Sequence, residues 1–161
     1  MIRVLMVCLG NICRSPMAEY IFKSMARQRG LPVQCDSAGT SDEEWGNPVY
    51  PPAQRKLAEM GISCVDKRAR QMDRHDYGRY DLLIGMEERN LSAMRRICGG
   101  DPEGKIHLML EDSPRRRNIA DPWYTGDFDA AAADILEGCG LWLDRLEREG
   151  RIKGDVAEAN L

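Results

Sequence analysis

A cysteine, an arginine and a serine near the amino terminus have the types and spacing needed for nucleophilic attack on a phosphate ester. Five residues separate Cys8 from Arg14, and Ser15 follows directly. The thiolate is the nucleophilic form of cysteine, whereas a free thiol with a pKa of about 8.5 is mostly protonated at neutral pH. A guanidinium grips two phosphate oxygens through its planar fork. The pattern predicts that Cys8 attacks phosphorus to give a cysteinyl-phosphate while Arg14 holds the equatorial oxygens.

The residues around this cysteine predict a strand, a tight loop and the start of a helix. Residues 2–7 form a short, nearly apolar run, which is typical of a buried strand. Gly10 and Asn11 tolerate left-handed backbone, so the loop can aim successive N–H groups at one point. We expect Ser15 to cap the next helix and Pro16 to fit its first turn. The alternative is structural, because a cysteine ending a buried strand is most often a core side chain.

A second group of residues, 121–124, follows the predicted fourth strand and could supply a proton donor. Cleavage of a phosphate ester leaves an alkoxide or phenoxide, and a positioned acid accelerates that step by typically ~10²- to 10⁴-fold. Asp121 is the predicted acid, and it would then act as the base that activates water. Its alternative role is to begin a turn, as Asp-Pro commonly does. Trp123 and Tyr124 could form the walls of a slot for a phenolic ring, or could pin the loop to the core.

Alternating strand and helix patterns place the chain in the α/β class. We predict a single domain over residues 1–150, with a three-layer αβα arrangement and a four-stranded parallel sheet flanked by helices. The phosphate-binding loop would join the first strand to the first helix. The predicted strands are 2–7, 33–37, 81–86 and 105–110. Two glycines in the last helix, Gly138 and Gly140, predict close packing there, and the tail, residues 151–161, is expected to be poorly ordered.

Composition restricts the partners and the cellular compartment. The chain has 161 residues and a net charge of −3, which argues against a nucleic acid or an anionic membrane as partner. No signal peptide or transmembrane segment is predicted. The six cysteines include no CxxC pair and are expected to be reduced in the cytoplasm. The two histidines, His75 and His107, lie far apart, so neither a metal nor a cofactor is expected.

Two further segments could contact a substrate or a partner. The loop at residues 38–52 leaves the carboxyl end of the second strand, where Glu43 and Trp45 could line a substrate rim or belong to a solvated loop. Residues 115–117 are three consecutive arginines on the loop that carries Asp121. They could dock an acidic partner, although a solvated loop is the favoured interpretation.

Residues 8–16 (Cys-Leu-Gly-Asn-Ile-Cys-Arg-Ser-Pro) and 121–124 (Asp-Pro-Trp-Tyr) together resemble the low-molecular-weight protein tyrosine phosphatases. The resemblance covers nearly the whole chain, because further segments stand in family order and spacing: 36–40, 46–48, 69–71 and 80–82. It implies hydrolysis of phosphotyrosine, with Cys8 as nucleophile, Arg14 as phosphate ligand, Asp121 as general acid and Ser15 supporting the thiolate.

The same resemblance implies roles for neighbouring residues. A network that includes Ser37 would hold Asn11 in left-handed geometry, and Cys13 would form a reversible disulfide with Cys8 under peroxide. The implied phosphate-binding loop comprises Leu9, Gly10, Asn11, Ile12, Cys13 and Ser15, and the implied substrate rim comprises Glu43, Trp45, Trp123 and Tyr124. The implied partner is a phosphotyrosine protein, such as a bacterial tyrosine kinase, and the implied assembly is a monomer or a weak homodimer.

The sequence departs from the family pattern at two positions. Lys67 stands where relatives often carry a histidine in the network around Asn11, so that network is expected to differ. Glu43 replaces an aromatic residue found on the rim in many relatives. An acidic rim would favour basic phosphopeptides over acidic ones.

Other activities occur on the same fold. Arsenate reductases coupled to thioredoxin use cysteines a few residues apart in the middle of the chain, whereas Cys64 and Cys98 are 34 residues apart here. Protein arginine phosphatases typically carry threonine where Ile12 stands, and an apolar side chain fits an aromatic ring better than a guanidinium. A noncatalytic phosphate-binding module would leave Cys8 and Asp121 without a role.

Overall fold

A four-stranded parallel sheet forms the centre of the structure, a computed structural model that describes residues 1–154. The strands are β1 (Ile2–Cys8), β2 (Val33–Gly39), β3 (Leu82–Gly85) and β4 (Ile106–Leu108). Their order is β2-β1-β3-β4, and every neighbouring pair is parallel. Because the chain moves from β1 to β2 on one side and later to β3 on the other, the order reverses at the carboxyl end of β1. Such a reversal is where parallel α/β sheets place their ligand sites.

Helices cover both faces of the sheet. They are α1 (Arg14–Gln28), α2 (Pro51–Glu59), α3 (Asp76–Arg79), α4 (Glu88–Cys98), α5 (Pro122–Thr125) and α6 (Phe128–Arg148). Alternate residues of β1 point to opposite faces: Val4 and Met6 join the core with α1 and α6, whereas Leu5 and Val7 join the core with α4. The predicted three-layer α/β architecture is confirmed. Among the described residues, no helix is both long and apolar enough to cross a membrane.

The strand boundaries differ from the sequence prediction by one residue at most, except at the carboxyl ends of β2 and β4, where they differ by two. The fourth strand is shorter than predicted because the chain turns after Leu108, whose N–H donates to Glu111 Oε1 at 2.9 Å. The second strand is longer and ends at Gly39, which pairs with Cys8. A Cβ atom at Gly39 would lie 2.6 Å from the Leu9 carbonyl oxygen, so β2 approaches the loop after β1 more closely than any side chain would allow.

The last long helix packs closely at Gly138, as predicted, but not at Gly140. A Cβ atom at Gly138 would lie 2.5 Å from Met109 Cγ, whereas one at Gly140 would meet only ordinary contacts. Beyond α6, Ile152 is buried in the core, so packing extends two residues past the boundary predicted at residue 150. Residues 155–161 of the predicted tail lie outside the described residues.

Candidate active site

The loop between β1 and α1 surrounds the sulfur of Cys8 with hydrogen-bond donors. The backbone N–H groups of Asn11 and Ser15 each lie 3.4 Å from Cys8 Sγ, and Ser15 Oγ lies 2.9 Å from it. The adjacent helix α1 begins at Arg14, so the positive end of its dipole also faces this loop. Donors aimed at one buried atom favour its anionic form. The arrangement therefore suits a thiolate nucleophile.

Ser15 does not cap the helix, and that sequence prediction is wrong. Cys13 occupies the N-cap position without a capping side-chain hydrogen bond, and Ser15 lies in the first turn of α1. Its hydroxyl faces Cys8 Sγ and accepts a hydrogen bond from Asn11 Nδ2 at 2.9 Å. The helix thus begins two residues earlier than predicted, and this shift frees the Ser15 hydroxyl to contact the sulfur.

Asn11 fixes the shape of the loop. It is the one non-glycine residue with positive φ (60°) that the backbone of residues 1–154 shows. Its buried amide Nδ2 donates to both Ser15 Oγ and Ser37 Oγ at 2.9 Å, while its Oδ1 accepts from Arg70 N at 3.1 Å. These three contacts offset the cost of a left-handed conformation, which asparagine tolerates better than most residues. The structure thus brings Asn11 and Ser37 together.

Two charged residues complete this support. Ser37 Oγ donates to Glu19 Oε1 at 2.6 Å, and Lys67 Nζ donates to the Ser37 carbonyl at 2.9 Å while lying 3.5 Å from Glu19 Oε1. Lys23 Nζ binds the other carboxylate oxygen of Glu19 at 2.7 Å. Burial lowers the pKa of Lys67, and the nearby Glu19 carboxylate offsets part of that effect. We call Asn11, Ser15, Ser37, Glu19 and Lys67 the loop-support network.

Arg14 is buried below the cavity with its guanidinium held on three sides. Nη1 donates to the Ile119 carbonyl at 2.9 Å, and Nη2 lies 3.4 Å from both Glu87 Oε1 and Asp121 Oδ2. Its side chain is only 2% exposed. A guanidinium fixed in this way loses little conformational freedom when it binds a phosphoryl group.

Asp121 lies at the N-terminus of α5, in the cavity that also contains the thiol. Its Oδ1 accepts from Trp123 N at 3.1 Å, which leaves Oδ2 facing the cavity and Arg14. The Trp123 ring packs on Tyr50, with 4.7 Å between centroids. Tyr50 in turn donates its backbone N–H to the Ile12 carbonyl at 2.9 Å. The loop carrying the predicted acid is therefore attached to the phosphate-binding loop.

A cavity of about 160 Å³ opens over Cys8 and brings most of the predicted site together. Its lining comprises Cys8, Leu9, Gly10, Ile12, Cys13, Arg14, Glu43, Glu44, Asp121, Trp123 and Tyr124. Ser15, Asn11 and Ser37 lie behind the loop rather than in the cavity. Trp45, a predicted rim residue, is not part of this lining, and its side chain is 62% exposed.

Cys13 shares the cavity but differs from Cys8 in its environment. Burial, together with the nearby Cys8 and Asp121, raises the pKa of the Cys13 thiol to about 12. Cys13 is therefore a neutral thiol at physiological pH. Both cysteines are free in the structure.

Sequence reasoning missed two carboxylates of the site, Glu19 and Glu87. Glu19 stands four residues before Lys23 on α1, a spacing typical of an exposed helical pair, and only the fold shows that it is buried beside Ser37. Glu87 stands two residues beyond the carboxyl end of β3, at the sheet edge where functional groups collect. Its position after a predicted strand was the only feature of the sequence that could have indicated a role for Glu87 in the site.

A cysteine thiol facing backbone N–H groups, a buried arginine and an aspartate lie in one cavity at the sheet edge, an arrangement that suits a cysteine-dependent phosphatase. Residues 3–152 match the family described as low molecular weight phosphotyrosine protein phosphatase. The chain belongs to this family, whose members are hydrolases of phosphoproteins.

Individual relatives agree with this placement over nearly their whole length. The low molecular weight protein-tyrosine-phosphatase YfkJ of Bacillus subtilis is 38% identical over 94% of this chain and 100% of its own length. Its crystal structure superposes with a TM-score of 0.86, covering 92% of this chain and 96% of that one. The crystal structure of an arginine phosphatase from Drosophila gives a TM-score of 0.82 at 30% identity, covering 88% and 96% of the two chains.

Proposed function

We propose that this protein hydrolyses phosphotyrosine in proteins, with Cys8 as nucleophile, Arg14 as phosphate ligand and Asp121 as acid and then base. In the first step Cys8 Sγ forms a bond to phosphorus, the bond from phosphorus to the phenolic oxygen breaks, and Asp121 gives that oxygen its proton. In the second step the Asp121 carboxylate takes a proton from water, whose oxygen attacks phosphorus and releases the thiolate and phosphate. The observation that carries this proposal is the sulfur of Cys8, which accepts from two backbone N–H groups and contacts the Ser15 hydroxyl in the cavity that Asp121 also lines.

The cavity walls favour an aromatic phosphoester. Trp123 and Tyr124 are 49% and 78% exposed beside the opening, and Leu9 and Ile12 add apolar surface. Flat aromatic walls stack on a phenolic ring, whereas phosphoserine and phosphothreonine are too short to bring phosphorus to a recessed sulfur and keep such contacts. We further propose that the substrates are phosphotyrosine proteins of the cytoplasm, including a bacterial tyrosine kinase. The enzyme itself would act as a monomer or a weak homodimer.

Phosphoarginine is the second candidate substrate because one structural relative is an arginine phosphatase. Ile12 separates the two possibilities. It lines the cavity and has no polar atom to bind a guanidinium, so an aromatic ring is the better match.

The test compares kcat/KM for phosphotyrosine, phosphoserine and phosphoarginine in one peptide, alongside arsenate reduction with thioredoxin. We expect kcat/KM for phosphotyrosine to exceed that for the other two peptides by at least about tenfold. In Ile12→Thr, the ratio of kcat/KM for phosphotyrosine to that for phosphoarginine should decrease, because the threonine hydroxyl can accept from the guanidinium of phosphoarginine. A preference for phosphoarginine in the wild-type protein, or turnover of arsenate alone, would overturn the proposed function.

We also propose that Cys13 protects the nucleophile from irreversible oxidation. Peroxide would convert the Cys8 thiolate to a sulfenic acid, and attack by Cys13 sulfur would form the disulfide with loss of water. The support is that both thiols line one cavity and that the high pKa of Cys13 leaves Cys8 as the more reactive of the two.

Under this proposal, brief peroxide treatment inactivates the wild-type protein reversibly, and dithiothreitol restores most of its activity. Cys13→Ser is expected to recover several-fold less, because its sulfenic acid proceeds to sulfinic acid. Cys98→Ser removes a thiol outside the cavity and serves as the control, with recovery like that of the wild type. Equal recovery in all three proteins would assign Cys13 no protective role.

A further inference from the structure

A second groove opens beside the catalytic cavity and continues it along the protein surface. Its volume is about 470 Å³, and three residues, Leu9, Asp121 and Tyr124, line both spaces. The remainder of the groove is formed by the segment after β2 and by one face of α4. A polypeptide whose phosphorylated side chain occupies the cavity would have to pass over these shared residues, so the groove lies on its path.

The α4 wall of this groove carries two exposed arginines. Arg89 and Arg96 are seven residues apart on the helix, which places them on the same face with a rise of about 10 Å between them. Among residues 1–154, neither guanidinium forms an ion pair. Two of the three predicted docking arginines differ in this respect, because Arg116 binds Glu88 and Arg117 binds Asp134. Arg115 makes no ion pair among the same residues, but it does not line the groove, so the unpaired positive charge of the groove is on α4.

Acidic residues do not cancel this charge. Within the groove, Glu87 and Asp121 both face the buried Arg14. Glu43 and Glu44 line the catalytic cavity but not the groove. The entrance to the active site is therefore bordered by carboxylates on one side and by guanidinium groups on the other.

We propose that the groove binds the polypeptide on one flank of the phosphotyrosine, and that Arg89 and Arg96 select acidic side chains there. This inference rests on the proposed function. An extended peptide advances about 3.3 Å per residue, so the rise between the two arginines corresponds to about three residues. Carboxylates with that spacing can each meet one guanidinium. The carboxylates of Glu43 and Glu44 repel an acidic residue on the opposite flank, so the charge pattern also fixes the direction in which the peptide binds.

The test uses three phosphotyrosine peptides of equal length: one with neutral flanks, one with two aspartates before the phosphotyrosine and one with two aspartates after it. At low salt we expect one acidic peptide, and only one, to have a kcat/KM about 3- to 10-fold above the neutral peptide, an advantage that shrinks at high salt. Arg89→Glu/Arg96→Glu is expected to lower the ratio of that acidic peptide to the neutral one to unity or below.

Arg95→Glu is the matched control for Arg89→Glu and Arg96→Glu measured singly, because it reverses one charge at an exposed position of α4 outside the groove. It is expected to keep the acidic preference. The groove proposal is overturned if the wild-type protein ranks all three peptides alike, if the double variant keeps the preference, or if Arg95→Glu loses it equally. Hydrolysis of the neutral peptide without any charge preference rejects the groove alone, whereas no hydrolysis of any phosphotyrosine peptide rejects the proposed function as well.

Discussion

Asp121→Asn is expected to lower kcat for a phosphotyrosine peptide by about 10²- to 10⁴-fold, the usual contribution of a positioned general acid. Asparagine keeps the shape of the side chain and can still accept from Trp123 N, so the helix cap at α5 survives. What it cannot do is donate a proton to the departing phenolic oxygen. The loss should therefore appear in kcat, and the basic limb of the pH–rate profile should disappear.

The leaving group gives this prediction a second measurement. Nitrophenyl phosphate releases a stabilised nitrophenoxide, which needs little protonation as it departs. The kcat for this substrate should therefore fall several-fold less than the kcat for the peptide. Asp127→Asn is the control, because Asp127 also caps a helix from an exposed position close by but does not line the cavity. Equal losses for both substrates would mean that Asp121 positions the loop and donates no proton.

The parts of the site that are contiguous in sequence could be predicted from the sequence. Cys8, Arg14 and the loop between them lie within seven residues, and local rules for strands, turns and helix starts are enough to place them. Asp121 could be predicted because it follows a strand and precedes Pro122 and two aromatic residues. The one local error concerned Ser15, whose hydroxyl had a better partner in the sulfur than in the helix backbone.

The residues that sequence reasoning missed act through contacts between distant segments. Glu19 is 18 residues from Ser37 and 48 from Lys67, and each contact depends on how α1 packs against the end of β2. Arg14 likewise binds a backbone carbonyl at Ile119, a group that has no sequence signature. Such partners follow from topology and packing, which a single sequence constrains only through its pattern of elements.

The loop-support network contains a buried charge whose removal should destabilise the protein strongly. Glu19 is 4% exposed and Lys67 is 12% exposed, with 3.5 Å between their charged atoms. Glu19→Gln preserves an acceptor for Ser37 but leaves the Lys67 ammonium without a counter-charge in a largely dry site. Breaking a buried pair in this way typically costs about 3 to 5 kcal/mol, and the partial exposure of Lys67 and Lys23 places our expectation below that range, at about 2 to 3 kcal/mol. Urea unfolding measures this loss.

Lys67→Met should cost less than Glu19→Gln, because Lys23 remains 2.7 Å from the Glu19 carboxylate when Lys67 is removed. In the variant carrying both changes, the loss in free energy of unfolding should be smaller than the sum of the two single losses by at least about 1 kcal/mol. The reason is that neither member of the pair is then left as an unpaired charge. Glu59→Gln, which breaks an exposed pair with Lys56, is the control and should cost less than about 0.5 kcal/mol.

Activity measurements on the same variants test whether the loop-support network also affects catalysis. If Lys67 and Glu19 hold Ser37 and Asn11 in place, Glu19→Gln should lower kcat about tenfold at temperatures where the protein is still fully folded, because a loosened loop misplaces donors that must meet the sulfur and the phosphoryl oxygens. Additive stability losses together with unchanged kcat would instead show that the pair supports α1 alone.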